Sequence, residues 1–173
     1  MIMELLIRRC DISDLETLKN VCITTFKDAF AQVNTEEDMN DYLQKSFNRQ
    51  QIEKELSHPR SVFYLAYYKN ELAGYLKINF GPAQTDINDD ASLELERIYI
   101  LKEYQGNGLG SMLLEKVVEI ARENDLDYIW LGVWEKNIGA IRLYGRQGFV
   151  KFKSHTFWLG KDKQTDDLMK LEL

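Results

Sequence analysis

Several features that mark particular protein classes are scarce in this sequence. It holds two cysteines, Cys10 and Cys22, with no Cys or His beside them at metal-ligand spacing. Neither a disulfide framework nor a metal site is indicated, and the pair reads as small buried hydrophobes. With two prolines and no Gly/Ser-rich linker, repeat or low-complexity tract, the chain reads as one domain spanning residues 1–173. The longest apolar run, Val62 to Tyr68, is far below the roughly 20 residues that cross a bilayer and reads as a buried strand. The opening Met-Ile-Met-Glu-Leu-Leu-Ile-Arg-Arg has no leading basic cluster and no small-residue cleavage site, so a cytoplasmic protein without membrane association is expected. Positive charge is short as well: 22 basic against 28 acidic side chains give a net charge of −6, which argues against nucleic acid as a partner. The two histidines, His58 and His155, stand too isolated to suggest a metal site or a Ser/His/Asp triad.

What is present is an ordinary globular composition, 45% hydrophobic and 29% charged. Glu4 to Arg9 reads as a strand. Asp11 or Ser13 then caps a helix carrying Leu15, Leu18, Cys22, Phe26 and Phe30 at helical spacing. Thr35, followed by Glu36, Glu37 and Asp38, starts a second helix whose exposed N–H groups and dipole favour carboxylates, and Asn48 starts a third that Pro59 ends. Val62–Tyr68 and Leu72–Phe80 form a hairpin around Lys69-Asn70-Glu71, and Leu93–Leu101 is a central strand. A helix over Gly108–Asn124, a strand over Tyr128–Val133, a helix over Asn137–Gln147 and strands from Val150 and from Thr165 complete the order. The class is α/β (α+β): a three-layer fold with a mixed central sheet, helices on both faces, and its parallel part near the middle helix.

Chemistry concentrates at Gln105-Gly106-Asn107-Gly108-Leu109-Gly110, between a predicted strand and a predicted helix. Glycines let an anion approach the backbone, and a helix start offers unpaired N–H groups and a positive dipole end, so a pyrophosphate fits there. A plain strand-to-helix turn is the other reading of the glycines alone. The P-loop needs Gly-Lys-Ser/Thr, which is absent, and the dinucleotide fingerprint needs Gly or Ala at Ser111 and an acidic residue where Gly132-Val133-Trp134 stands.

Gln105, Gly108 and Gly110 match the Gln/Arg-x-x-Gly-x-Gly/Ala acyl-CoA loop, and the chain resembles the GNAT superfamily of N-acetyltransferases. The resemblance continues through Asn137, Ala140, Leu143-Tyr144 and Gly148-Phe149 and covers nearly the whole chain. Leu95-Glu96-Arg97-Ile98-Tyr99-Ile100 and Trp130 to Glu135 are similar, more narrowly, to bacterial PaiA-type spermidine/spermine acetyltransferases.

The resemblance implies a mechanism and a set of site residues. Strands around Ile100 and Leu131 would splay to admit the pantetheine arm of acetyl-CoA, with no metal required. Backbone amides of Gln105, Gly106, Asn107, Gly108, Leu109, Gly110 and Ser111 would hold the pyrophosphate. Asn137 would contact CoA, a strand amide near Ile98, Tyr99 or Ile100 would polarise the acetyl carbonyl, and Lys102, Lys136, Arg142 or Arg146 could meet the adenosine phosphates. A primary amine with a pKa of about 10 must lose a proton before it attacks, and Glu96 is the expected acceptor, through water. Tyr144 would protonate the departing thiolate.

Strand alternation puts Glu94 beside Glu96, and mutual repulsion would raise one pKa; pairing of either with Arg97 or a neighbouring cation is the alternative. Glu36, Asp38 and Asp41, with the carboxylates of Gly81 to Ile100, would attract a small-molecule amine, a polyamine above all; helix-start electrostatics and solvated loop charge are the other reading. Acetylation of a protein N-terminus, lysine or other small amine, or noncatalytic acyl-CoA sensing, stays open, and so does oligomeric state.

Overall fold

The computed structural model describes residues 4–173. Met1 to Met3, part of the stretch weighed against secretion, lie outside the described residues. After β1 (Leu5–Arg9), Asp11 caps a short 3-10 turn, its Oδ1 accepting from Ser13 N at 2.8 Å, before α1 (Leu15–Phe30) begins. Thr35 caps α2 (Glu36–Ser46) by accepting from Asp38 N at 3.1 Å, and Asn48 caps α3 (Arg49–Leu56) by accepting from Gln51 N at 2.9 Å. The hairpin of β2 (Ser61–Tyr68) and β3 (Glu71–Phe80) turns on Lys69 and Asn70 alone, both at positive φ, the backbone of a tight I′ turn. Glu71 therefore belongs to the strand.

The second half runs β4 (Ser92–Ile100), α4 (Leu109–Glu123), β5 (Tyr128–Trp134), α5 (Ile138–Arg146), β6 (Val150–Leu159) and β7 (Asp162–Glu172). The final strand starts three residues earlier than its β-branched residues suggest, because polar Asp162, Lys163 and Gln164 pair with Leu159, Trp158 and Phe157 across a hairpin. All seven strands form one sheet in the order β1-β2-β3-β4-β5-β7-β6. Only β4 and β5 pair in parallel, joined by the α4 crossover, so the sheet is mixed as its element order implies.

Two apolar layers sandwich it. On one face Leu113, Leu114, Val117 and Ala121 of α4 pack on Leu93, Leu95, Ile129 and Leu131. Each fully buried Leu or Val there contributes about 1.5–3 kcal/mol, which anchors α4 and hence the glycine loop at its start. On the other face α1, α2 and α3 bury Leu18, Cys22, Phe26, Met39 and Ile52 against Phe63, Leu65 and Tyr75. Burial pushes the Cys22 thiol up to about 11, so it is no thiolate nucleophile at neutral pH. No helix among the described residues is long and apolar enough to cross a membrane.

Candidate active site

The parallel ladder between β4 and β5 is short. Ser92 pairs with Tyr128, Leu93 with Ile129 and Glu94 with Trp130, and there it ends. Beyond that point β4 continues along β3 as far as Ile100, and β5 continues along β7 as far as Trp134. Two strand edges, Leu95–Ile100 and Leu131–Trp134, thus diverge with their inward backbone groups available to a third partner.

The glycine loop lies at the open end. Gly106 and Gly108 adopt φ of 82° and 75°, where a side chain is strained, yet a Cβ on either would meet nothing within 4 Å. The backbone is therefore both bent by glycine and uncovered. Gly108 occupies the cap position of α4 without any side-chain cap, and the first helical bond runs from Met112 N to Gly108 O at 3.3 Å. The N–H groups of Leu109, Gly110 and Ser111 point out of the helix start. Gln105 Nε2 donates to Ile100 O at 3.0 Å and Asn107 Nδ2 to Tyr104 O at 3.0 Å, so these side chains fasten the loop. A Cβ on Gly110 would stand 3.2 Å from Leu143 Cδ2, so this glycine lets α4 and α5 approach.

Within β4 the structure shows what simple alternation misses. Lys77 lies opposite Arg97 and Ile78 opposite Leu95, leaving Glu96 as the extra residue of a β-bulge. Arg97 is thereby turned away from the α4 face onto the same side as Glu96. The signal was present in the apolar spacing Leu93-x-Leu95-x-x-Ile98-x-Ile100, a two-residue period with one step of three.

The bulge supports a buried charge network. Glu96 Oε2 lies 2.5 Å from Lys77 Nζ and its Oε1 lies 3.3 Å from an Arg97 guanidinium nitrogen, while Glu55 of α3 meets Lys77 at 2.9 Å and Arg97 at 3.2 Å. Asn79 Nδ2 donates to Glu94 at 2.9 Å and to Glu96 at 2.7 Å, so both glutamates share one face. Burial, then the Glu96 charge, pushes the Glu94 carboxyl up against the hydrogen bonds from Thr85 and Asn79. Burial also opposes the Glu96 charge, but Arg97 and Lys77 outweigh it and hold that carboxyl below its ordinary value. A carboxylate so paired is a reluctant proton acceptor, which weighs against the role expected for it.

Tyr99 marks where the elements converge. Its phenol is raised chiefly by burial, then by Tyr42 of α2 and Tyr144 of α5, with Arg97 opposing and Asp166 of β7 adding to the rise. Tyr144 is buried with its ring 6.0 Å from that of Phe149, and burial pushes its phenol well above the ordinary value. Asn137 caps α5, its Oδ1 accepting from Ala140 N at 3.2 Å, and is otherwise exposed. Lys102, Lys136, Arg142 and Arg146 are all exposed.

The acidic residues divide. Asp86, Glu94 and Glu96 lie on the face opposite α4, but Asp89 accepts from the Tyr128 hydroxyl at 2.8 Å and Asp90 turns to Arg60. On α2, Asp38 accepts from Lys161 N at 3.0 Å and pins the β6–β7 turn, Asp41 pairs with Lys45 at 2.8 Å, and Glu36 is exposed. His155, isolated in the sequence, lies between Asp86 and Asp166 in the fold. Its partners are distant in sequence, and only the folded sheet and the loop after β3 bring them together.

A family model for the acetyltransferase (GNAT) family matches residues 26–149. The chain belongs to that family. It is thus an acetyl-CoA-dependent N-acetyltransferase, and the uncovered glycine loop and divergent strands suit such a cosubstrate. This acetyltransferase is 41% identical over 160 residues, 92% of each chain, to a Lactobacillus delbrueckii subsp. lactis protein described as an uncharacterized N-acetyltransferase in the pepI 3' region. A spermine/spermidine N(1)-acetyltransferase of Bacillus subtilis is 36% identical over 84 residues, 48% of this chain and 55% of that one. The PaiA N-acetyltransferase of Thermoplasma acidophilum, solved with coenzyme A, superposes with a TM-score of 0.78 at 22% identity, covering 99% of this chain and 100% of its own. That likeness bears on the fold.

Proposed function

We propose that this acetyltransferase acts on a small cationic primary amine of the polyamine class, by direct attack on the thioester. The observation that carries this reading is the acidic wall beside the gap: the partly exposed Asp86 and Asp166 lie on the face opposite α4, with the buried Glu94 and the largely buried Glu96, both already partnered, on the same face. An ammonium ion is drawn to such a wall, and low-dielectric surroundings focus the attraction. Partial similarity to the Bacillus spermine/spermidine enzyme supports the same substrate class. Glu36, Asp38 and Asp41 then contribute long-range attraction, since Asp38 and Asp41 already have protein partners.

In this reading the N–H groups from Gln105 to Ser111 hold the pyrophosphate and Asn137 presents its free amide nitrogen to the CoA arm. The strand edge at Ile98 to Ile100 aligns the acetyl group, which acetyl-CoA supplies in activated form. Tyr144, kept protonated by burial, donates to the thiolate as it leaves. Glu96 stays ionised between Lys77 and Arg97, whose cations take up its charge and leave the acceptor to Asp86 and Asp166.

Thiol release with acetyl-CoA and a panel of spermidine, spermine, a simple monoamine, lysine and an N-terminal peptide tests this. Turnover that favours spermidine or spermine is expected. Preference for the peptide or the monoamine rejects the substrate class, and no amine-dependent release despite calorimetric binding of acetyl-CoA rejects catalysis altogether.

A further inference from the structure

His155 lies on β6 where it crosses Asp166 of β7, and its ring bridges two carboxylates. Nδ1 is 3.3 Å from Asp86 Oδ2, and Nε2 is 3.6 Å from Asp166 Oδ2. In the neutral ring the hydrogen belongs on Nδ1, which is within hydrogen-bonding distance of the Asp86 acceptor, and Nε2, beyond that distance from Asp166, keeps its lone pair. Nε2 and the Asp166 oxygen are then two acceptors too far apart for a bond and close enough for one ammonium group to donate to both.

The location is what gives this arrangement meaning. Gly132 is two residues past Trp130, the last β5 residue paired with β4, so it stands on the edge of the gap. A Cβ on Gly132 would lie 3.6 Å from Asp166 Oδ2 and 4.0 Å from His155 Nε2. The missing side chain leaves an exposed floor directly beneath the two acceptors.

The loop that supplies Asp86 is fixed to the sheet. Gln84 accepts from Trp130 Nε1 at 2.9 Å and donates to Ser92 O at 3.0 Å, and Thr85 N donates to Glu94 at 2.8 Å. Asp86 is in turn oriented by Ile87 N at 2.7 Å. These contacts fix the loop and so the position of Asp86 beside the partly exposed ring.

We propose that His155, oriented by Asp86, is the proton acceptor for the incoming amine, with Asp166 holding the ammonium beside it. The inference rests on the reading that a cationic amine is the acceptor. The ammonium loses one proton to Nε2, giving imidazolium and a neutral amine. Its lone pair forms the new N–C bond to the acetyl carbon, and the C–S bond breaks with its electron pair going to sulfur. The excess proton on the attacking nitrogen passes to that sulfur by way of Tyr144, and the imidazolium returns its proton to solvent. Both oxygens of the Glu96 carboxylate are held by cations, whereas Nε2 of His155 has no partner within hydrogen-bonding distance among the described residues, so the ring is the freer acceptor for a proton. The charged groups acting on this ring and its partners are Asp86 from the loop, Asp166 and Asp167 from β7, and Lys153 from β6, while β5 presents only Gly132.

The test is steady-state thiol release with the best amine of the panel above. It compares the parent protein, His155→Gln, Asp86→Asn, Asp166→Asn and Glu96→Gln, with acetyl-CoA affinity measured separately by calorimetry. His155→Gln is expected to lower kcat roughly 100-fold and to remove the acidic limb of the kcat/KM profile, with acetyl-CoA affinity unchanged. Asp86→Asn moves that limb to lower pH, because loss of the negative charge disfavours the imidazolium. Asp166→Asn raises the amine KM more than it lowers kcat. Turnover of His155→Gln within about threefold of the parent, or a limb that survives there and vanishes in Glu96→Gln, overturns this inference alone. Absence of turnover with every amine in the parent protein sinks the substrate reading with it.

Discussion

Tyr144 and Glu96 show how far a residue type can be read before its surroundings are known. Tyr144 falls in a recognisable segment, and the fold buries it beside the junction at Tyr99. Because burial favours the neutral phenol, its proton stays in place through the alkaline range, and any alkaline loss of kcat has another origin. Tyr144→Phe should therefore lower kcat by roughly 100-fold at all accessible pH values, leaving the acetyl-CoA dissociation constant and the shape of the profile unchanged, as stopped-assay kinetics and calorimetry can check. Glu96 was legible as a polar residue in a central strand. Pairing with Arg97 or a neighbouring strand cation is the alternative reading of the sequence, and Arg97 and Lys77 fill it; the bulge that turns Arg97 to that side and the arrival of Glu55 from α3 were not legible. His155 was illegible for the same reason: Asp86 and Asp166 meet it only across a loop and a hairpin.

Elements were read more securely than side-chain partnerships because their signals are local. Thr35 and Asn48 accept from the first-turn amides their positions promised, whereas Asp11 caps only the 3-10 turn ahead of α1, whose own cap position falls to Asp14 rather than to Asp11 or Ser13. The β4 bulge was written in the leucine and isoleucine spacing, but strict alternation hides a single step of three. At the start of α4, left-handed backbone and open space occur together at Gly108, so strain and ligand access can be separated. Gly108→Ala is expected to cost about 1–2 kcal/mol in urea unfolding from backbone strain alone. It should also weaken acetyl-CoA about tenfold by placing a methyl group against the amides that receive the pyrophosphate. Unchanged affinity in a destabilised variant would move the anion site elsewhere.

At the scale of the whole molecule, the net charge of −6 acts at a distance on any cationic acceptor. Raising ionic strength from roughly 0.01 to 0.15 M shortens the screening length from about 30 to about 8 Å. The KM for spermidine is thus expected to rise several-fold over that range, and that for a monoamine to change much less, a contrast that initial-rate kinetics can read. The sheet topology also binds the fates of cosubstrate and protein together. Strands β1 to β4 form one leaf and β5 to β7 another, and their backbones are stitched along a seam only from Ser92 to Glu94. A molecule lying between the loose margins of both leaves acts as a clasp. Occupancy would then add to the resistance against opening, so the durability of this protein would rise with the local supply of activated acetyl groups.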